Sequence, residues 1–178
     1  MISSIINMSR PINVILSIIS VLISAFILKQ DFTSQIIFYT CIVVAGFTIF
    51  SNLINDMFDI KTDKLNRPLK PLLTGKISVQ TVSLIAILTL IMCVYFTTKL
   101  NQMASDIVYF LVFPIIITYT PVFKSIPFIG NILIGATLGF VFLFSEASLL
   151  NQIELMWIPA LLAMHLTILR ELLKDIED

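Results

Sequence analysis

The sequence predicts an all-α protein, a polytopic transmembrane helical bundle, on three observations. Of its 178 residues, 58% are hydrophobic and 12% charged, whereas soluble domains are roughly half apolar and a quarter charged. The apolar residues recur as long runs from one end of the chain to the other, unlike a single short leader ahead of a polar chain. Nine of the eleven cations fall on one side of those runs.

A helix of about 20 residues crosses roughly 30 Å of hydrocarbon. Runs of suitable length lie at 12–28, 36–55, 79–98, 106–121, 130–145 and 155–170. Arg10-Pro11 punctuates the start of the first, and Asp31 and Ser34 precede the second. Pro68, Pro71 and Gly75 break the chain ahead of the third, which begins near Ser78. Asn101 to Ser105 lead into the fourth, Pro127 to Gly130 into the fifth, and Trp157 marks the sixth as an interfacial anchor. Nine cations (Arg10, Lys61, Lys64, Arg67, Lys70, Lys76, Lys124, Arg170, Lys174) fall on one side of these spans, and only Lys29 and Lys99 on the other. By the positive-inside rule the N-terminus, the loop 56–78, the loop at Lys124 and the C-terminus are expected in the cytoplasm, in a multi-pass protein of the cell membrane.

Cys41 and Cys93 lie within apolar runs, without the spacing of a metal site. His165 stands alone in the sixth run, as a functional candidate or as a hydrogen-bonded packing residue. A formal net charge of zero gives no reason to expect a nucleic-acid partner.

Two acidic clusters are harder to place in an ordinary bundle. The second run leads directly into "NDMFDIKTD" (Asn55 to Asp63), and the sixth into "RELLKDIED" (Arg170 to Asp178). If the second helix continues through residue 63, spacings of four, three and four bring Asn52, Asp56, Asp59 and Asp63 within an arc of about 60°. Carboxylates so crowded repel unless a cation sits among them. Hard oxygen donors on one face suit Mg²⁺, which binds through a few carboxylates together with substrate phosphates. In the second cluster Glu171, Asp175 and Asp178 share a face and can serve a second metal, with Arg170 and Lys174 interspersed. A diphosphate held between divalent ions fits such a pair of clusters. Arg67 and Lys70, on the proline-stiffened "NRPLKP" loop, are placed to lid it. Lys124, five residues beyond Tyr119, can complement phosphate charge or anchor the interface. A transporter or channel subunit that binds a cation in its acidic ring is the reading from another class.

These motifs resemble a known family. "NDMFDIKTD" is similar to the N-D-x-x-D-x-x-x-D motif of the UbiA-type intramembrane prenyltransferases, "RELLKDIED" to the start of their second aspartate-rich motif, and "RPIN" (Arg10 to Asn13) to their usual opening. The resemblance implies a UbiA-like bundle of about nine helices, six of them present, with a cavity open to lipid and capped by cytoplasmic loops. It makes residues 1–178 a single prenyltransferase domain whose C-terminal part is missing, expected to be inactive alone. It further implies Mg²⁺ as cofactor, a prenyl diphosphate and a membrane-associated acceptor as substrates, and the bilayer as the working medium. Asp56, Asp59 and Asp63 would hold metal and diphosphate with Asn52 and Asn55, Asp175 and Asp178 would serve the second metal, and Tyr119 and Lys124 resemble the family's tyrosine and basic residue. "DKLNRPLKPLLTGKIS" looks most like members that form an ether bond to a glyceryl phosphate lipid precursor, with aromatic (quinone), haem and chlorophyll acceptors as alternatives.

Overall fold

A computed structural model describes residues 2–126 and 128–177, and helices account for about four fifths of them. A short helix α1 (Ile2–Ser9) turns through Arg10 into α2 (Pro11–Leu28). Proline at the first position of α2 gives up a backbone N–H that would have had no helical partner, and so starts the helix cleanly. Then come α3 (Ser34–Phe58), the short α4 (Ile60–Asn66) and α5 (Val79–Thr97). The next crossing is composite: α6 (Gln102–Ile107) and α7 (Phe113–Thr118) are each followed by a π-helical turn, Val108–Val112 and Tyr119–Phe123. After it come α8 (Ile129–Leu150) and α9 (Trp157–Glu177).

Five of these are long and apolar enough to cross a membrane: 11–28, 34–58, 79–97, 102–123 and 129–150. The sixth predicted span forms as the long helix α9, yet it is not among the five, because its apolar stretch ends at Leu169 and Arg170, Glu171, Lys174 and Asp175 occupy its last turns. Two features are not foreseen from the sequence. Residues 2–9 are helical, packing Ser4 and Met8 inward against α3, and the second span breaks at Asp59 before α4.

α3 is the central helix, in contact with α1, α2, α5 and α8, while α8 packs most extensively on α9. Many outward side chains are large and apolar, among them Phe26, Leu88, Phe110 and Leu166. That pattern suits helices whose outer faces meet lipid tails. Leu53, Val43, Val21, Val82 and Val108 fill the interior. At the end of the bundle away from the acidic motifs, Phe38 and Tyr95 meet the Phe96 ring edge to face and Tyr39 meets it at a tilt, with Lys99 over the Tyr95 ring. Such an aromatic group is characteristic of a membrane–water interface.

At that same end a buried polar network joins three helices. Asn101 accepts from Ala104 N–H and so caps α6, while its amide donates to the Ala147 and Ser148 carbonyls at the end of α8. Fully buried Glu146 accepts from the backbone N–H groups of Leu155 and Met156, just ahead of α9. Neither residue belongs to a motif that the sequence makes visible.

Candidate active site

The acidic end of α3 is assembled from four segments. Asn52 donates its amide to the Ser9 carbonyl at 3.0 Å, and the Arg10 guanidinium reaches Asp56 at 3.4 Å. Together they dock the α1–α2 corner on α3. Arg10 itself sits at φ 52°, a left-handed conformation uncommon outside glycine. The corner puts an arginine directly beside Asp56.

The single carboxylate face expected from the sequence is divided in two. α3 ends at Phe58, and Asp59 (φ −79°, ψ 0°) departs from helical geometry before α4 resumes at Ile60. Lys70 Nζ donates to Asp56 Oδ1 at 2.9 Å and to Asp63 Oδ2 at 2.6 Å. Lys124 Nζ donates to Asn55 Oδ1 at 3.0 Å and to Asp59 Oδ2. Two sites result, the carboxylates of Asp56 and Asp63 in one and the Asp59 carboxylate with the Asn55 amide oxygen in the other, each bridged by one lysine. Asp56 and Asp63 are buried, where an unpaired carboxylate would be costly.

The proline-stiffened loop between α4 and α5 delivers Lys70. Its backbone turns through hydrogen bonds from Leu73 and Thr74 N–H to the Lys70 carbonyl, and Gly75 (φ 70°) supplies the left-handed residue that lets the chain reach α5. Burial works to lower the Lys70 pKa, but hydrogen bonds to Asp63 and Asp56 and the charge of both carboxylates outweigh it, and the net shift is upward from 10.5. A raised lysine pKa favours the folded state at all pH below the unfolded value, so this contribution is intact at neutral pH and is lost only as pH climbs above about 10.5. Arg67 is exposed and, with Asn7, Met8, Arg10, Asp56, Lys70 and Pro71, lines a cavity of about 170 Å³.

Lys124 is delivered by a π turn. Its N–H reaches back five residues to the Tyr119 carbonyl at 2.8 Å, and Pro121 within the turn has no N–H to continue an α-helical ladder. The wider turn rotates the next residues, carrying Lys124 onto Asn55 and Asp59. π turns recur at functional sites. The turn packs against both α3 and α8, and α8 carries the Asn131 whose amide bonds Asp175 of α9. The two acidic clusters therefore approach one another around it.

On α9, Asp175 Oδ2 accepts from the Asn131 amide of α8 at 2.8 Å. Arg170 and Lys174 both lean on Glu171, at 2.9 and 3.7 Å. Asp178 lies outside the described residues. Asn131 belongs to no motif; its one signal in the sequence is that it is the lone amide in the apolar start of α8. His165 is exposed and bonds to the Leu161 carbonyl at 2.7 Å.

Among the described residues no three acidic, histidine or cysteine groups converge on one point. Pairs do converge: Asp56 and Asp63 aim one oxygen each at a single ammonium position. Hard oxygens set for one cation fit Mg²⁺, which takes one or two carboxylates and completes its shell with water and phosphate oxygens.

Residues 17–178 match the model of the UbiA prenyltransferase family. The chain belongs to the UbiA prenyltransferase family. Similar UbiA relatives include digeranylgeranylglyceryl phosphate synthase of Methanopyrus kandleri (29% identity, covering 97% of this chain and 62% of that protein). Those of Saccharolobus solfataricus (35%, covering 80% and 51%) and Methanosphaera stadtmanae (32%, covering 97% and 62%) are also similar. A solved structure reported under "Structural and mechanistic insights into the biosynthesis of Digeranylgeranylglyceryl phosphate synthase in membranes" matches with a TM-score of 0.81 and 27% identity, over 99% of this chain and 63% of that one. The chain thus spans between about half and two thirds of the length of these proteins. Family and fold together make it a multi-pass, all-helical membrane protein.

Proposed function

We propose that this protein acts in the transfer of a prenyl group from a prenyl diphosphate to a lipid-precursor acceptor, the donor's diphosphate resting at the acidic end of α3. The observation that carries the proposal is the pair of lysine-bridged acidic sites, with Asp175 of α9 held by Asn131 of the neighbouring α8. A site built to bind a bare cation for transport would not need four basic side chains from three segments. Arg10, Arg67, Lys70 and Lys124 make sense beside an anion.

Asp56, Asp63 and Asp59 with Asn55 would hold Mg²⁺, and Asp175 with Asp178 would serve a second ion. Bound there, Mg²⁺ neutralises charge that develops on the diphosphate as the allylic carbon–oxygen bond breaks. Lys70, Lys124 and Arg67 add fixed positive charge on the same leaving group. The carbocation left behind must be kept from water, and the apolar interior between the spans supplies that setting while dissolving the isoprenoid tail. Acceptor attack on that carbon and loss of the acceptor's proton complete the transfer.

Likeness to digeranylgeranylglyceryl phosphate synthases supports a geranylgeranyl donor and a glyceryl phosphate acceptor, with an ether lipid as product. The cation asymmetry supports a cytoplasmic location for the site. Asp56→Asn and Asp59→Asn, placed in the protein's full reading frame and assayed in membranes with radiolabelled geranylgeranyl diphosphate and Mg²⁺, are expected to lower transfer at least about a hundredfold, the scale of losing one group that stabilises a developing charge. Unchanged transfer in both variants would sink the assignment.

A further inference from the structure

The two lysines occupy the positions a divalent cation would take. Lys70 Nζ lies 2.9 Å from Asp56 Oδ1 and 2.6 Å from Asp63 Oδ2, and Lys124 Nζ bridges Asn55 and Asp59 in the same way. An ammonium donates only, so a metal ion that takes the position between those two oxygens must move the lysine out of it. Each head is carried on a flexible four-carbon stem from a firmly held backbone: Lys70 between Pro68 and Pro71, Lys124 at the end of the π turn. The cavity bounded by Arg10, Arg67 and Asp56 adjoins Lys70 and gives its head room to swing.

Resting on the diphosphate reading above, we propose that Lys70 and Lys124 are resident counter-cations of the acidic pairs, displaced by the divalent ion and handed to the incoming diphosphate, which makes metal and diphosphate bind cooperatively. Before substrate arrives the lysines neutralise the acids and keep the end of α3 folded. A metal ion arriving alone must expel a lysine that then has no partner. Arriving with diphosphate, it frees a lysine to neutralise the phosphate oxygens. By linkage the coupling is reciprocal, and each ligand raises the affinity of the other by the same factor.

The test is Mn²⁺ binding to the purified protein in detergent, followed by electron paramagnetic resonance with and without inorganic pyrophosphate. Wild type is expected to bind Mn²⁺ weakly alone and about tenfold or more tightly with pyrophosphate, within the usual range of such couplings. Lys70→Gln is expected to bind Mn²⁺ alone about tenfold more tightly than wild type and to show less enhancement by pyrophosphate, while Lys70→Arg, which keeps the charge, stays near wild type. Lys124→Gln, on the more exposed pair, tests the same claim independently of the buried one. If Mn²⁺ affinity without pyrophosphate is unchanged or weaker in the glutamine variants, the counter-cation role is overturned while the diphosphate site stands. If wild type binds no Mn²⁺ even with pyrophosphate, the diphosphate reading falls with it.

Discussion

Glu146 is fully buried and, among the described residues, takes part in no ion pair. Its carboxylate is instead satisfied by the backbone N–H groups of Leu155 and Met156, at 2.8 to 3.1 Å. Removing it strands those donors, so Glu146→Ala is expected to cost about 3 kcal/mol, the scale of losing charge-assisted bonds and leaving buried donors unpaired. Glu146→Gln, which keeps an acceptor oxygen, should lose less. Thermal unfolding in detergent measures both, and equal loss would show that the N–H bonds are not what matters. At this scale the acidic motif and its lysines were legible as residues of one region, but not its division, in which Asp56 and Asp63 meet Lys70 while Asp59 meets Lys124. Nor was the sequence legible where a side chain bonds to a distant backbone, as Glu146, Asn101 and Asn52 do. No spacing encodes a partner supplied by another helix.

Among the elements, the α8–α9 pair decides where the second acidic cluster stands. Gly135 and Gly139 let the backbones touch: a Cβ at Gly135 would lie 2.8 Å from the Met164 carbonyl oxygen, and one at Gly139 would lie 2.9 Å from that of Ala160. Small residues at such spacing allow close helix approach in membranes. With Glu146 at one end of the pair and Asn131 bonded to Asp175 at the other, the contact fixes the depth and rotation of α9. Gly139→Leu is therefore expected to push α9 outward, lower the unfolding temperature by several degrees, consistent with an overpacking cost of about 1–3 kcal/mol, and weaken Mn²⁺–pyrophosphate binding. A variant with full stability and full binding would show that the close approach is dispensable. The rough limits of the six long helical segments could be read from apolar runs, though the short α1 and α4 could not. The π turns and the break at Asp59 could not, because they alter helix rotation while leaving the apolar pattern intact. That rotation is what sends Asp59 to Lys124 and Asp63 to Lys70.

For the whole molecule, helices alternate in direction, so Arg10, the 58–78 segment, Lys124 and the end of α9 share one end of the bundle, and Asn101, Glu146 and Trp157 the other. If that first end is cytoplasmic, a membrane-impermeant maleimide added to intact cells should label Asn151→Cys and spare Thr74→Cys, both exposed positions. The reverse pattern would invert the topology. The multi-pass helical plan was the most legible feature of the sequence, since bilayer thickness acts on averages over many residues.

The central claim is that the acidic end of α3 holds a prenyl diphosphate through a divalent cation. It is tested most directly by binding a non-ionising geranylgeranyl thiodiphosphate to the purified protein, with Mg²⁺ or with chelator, in wild type and in Asp59→Asn. Saturable binding that requires Mg²⁺ and is lost in Asp59→Asn is the predicted result. Equal binding in chelator, or binding unaffected by Asp59→Asn, would contradict it.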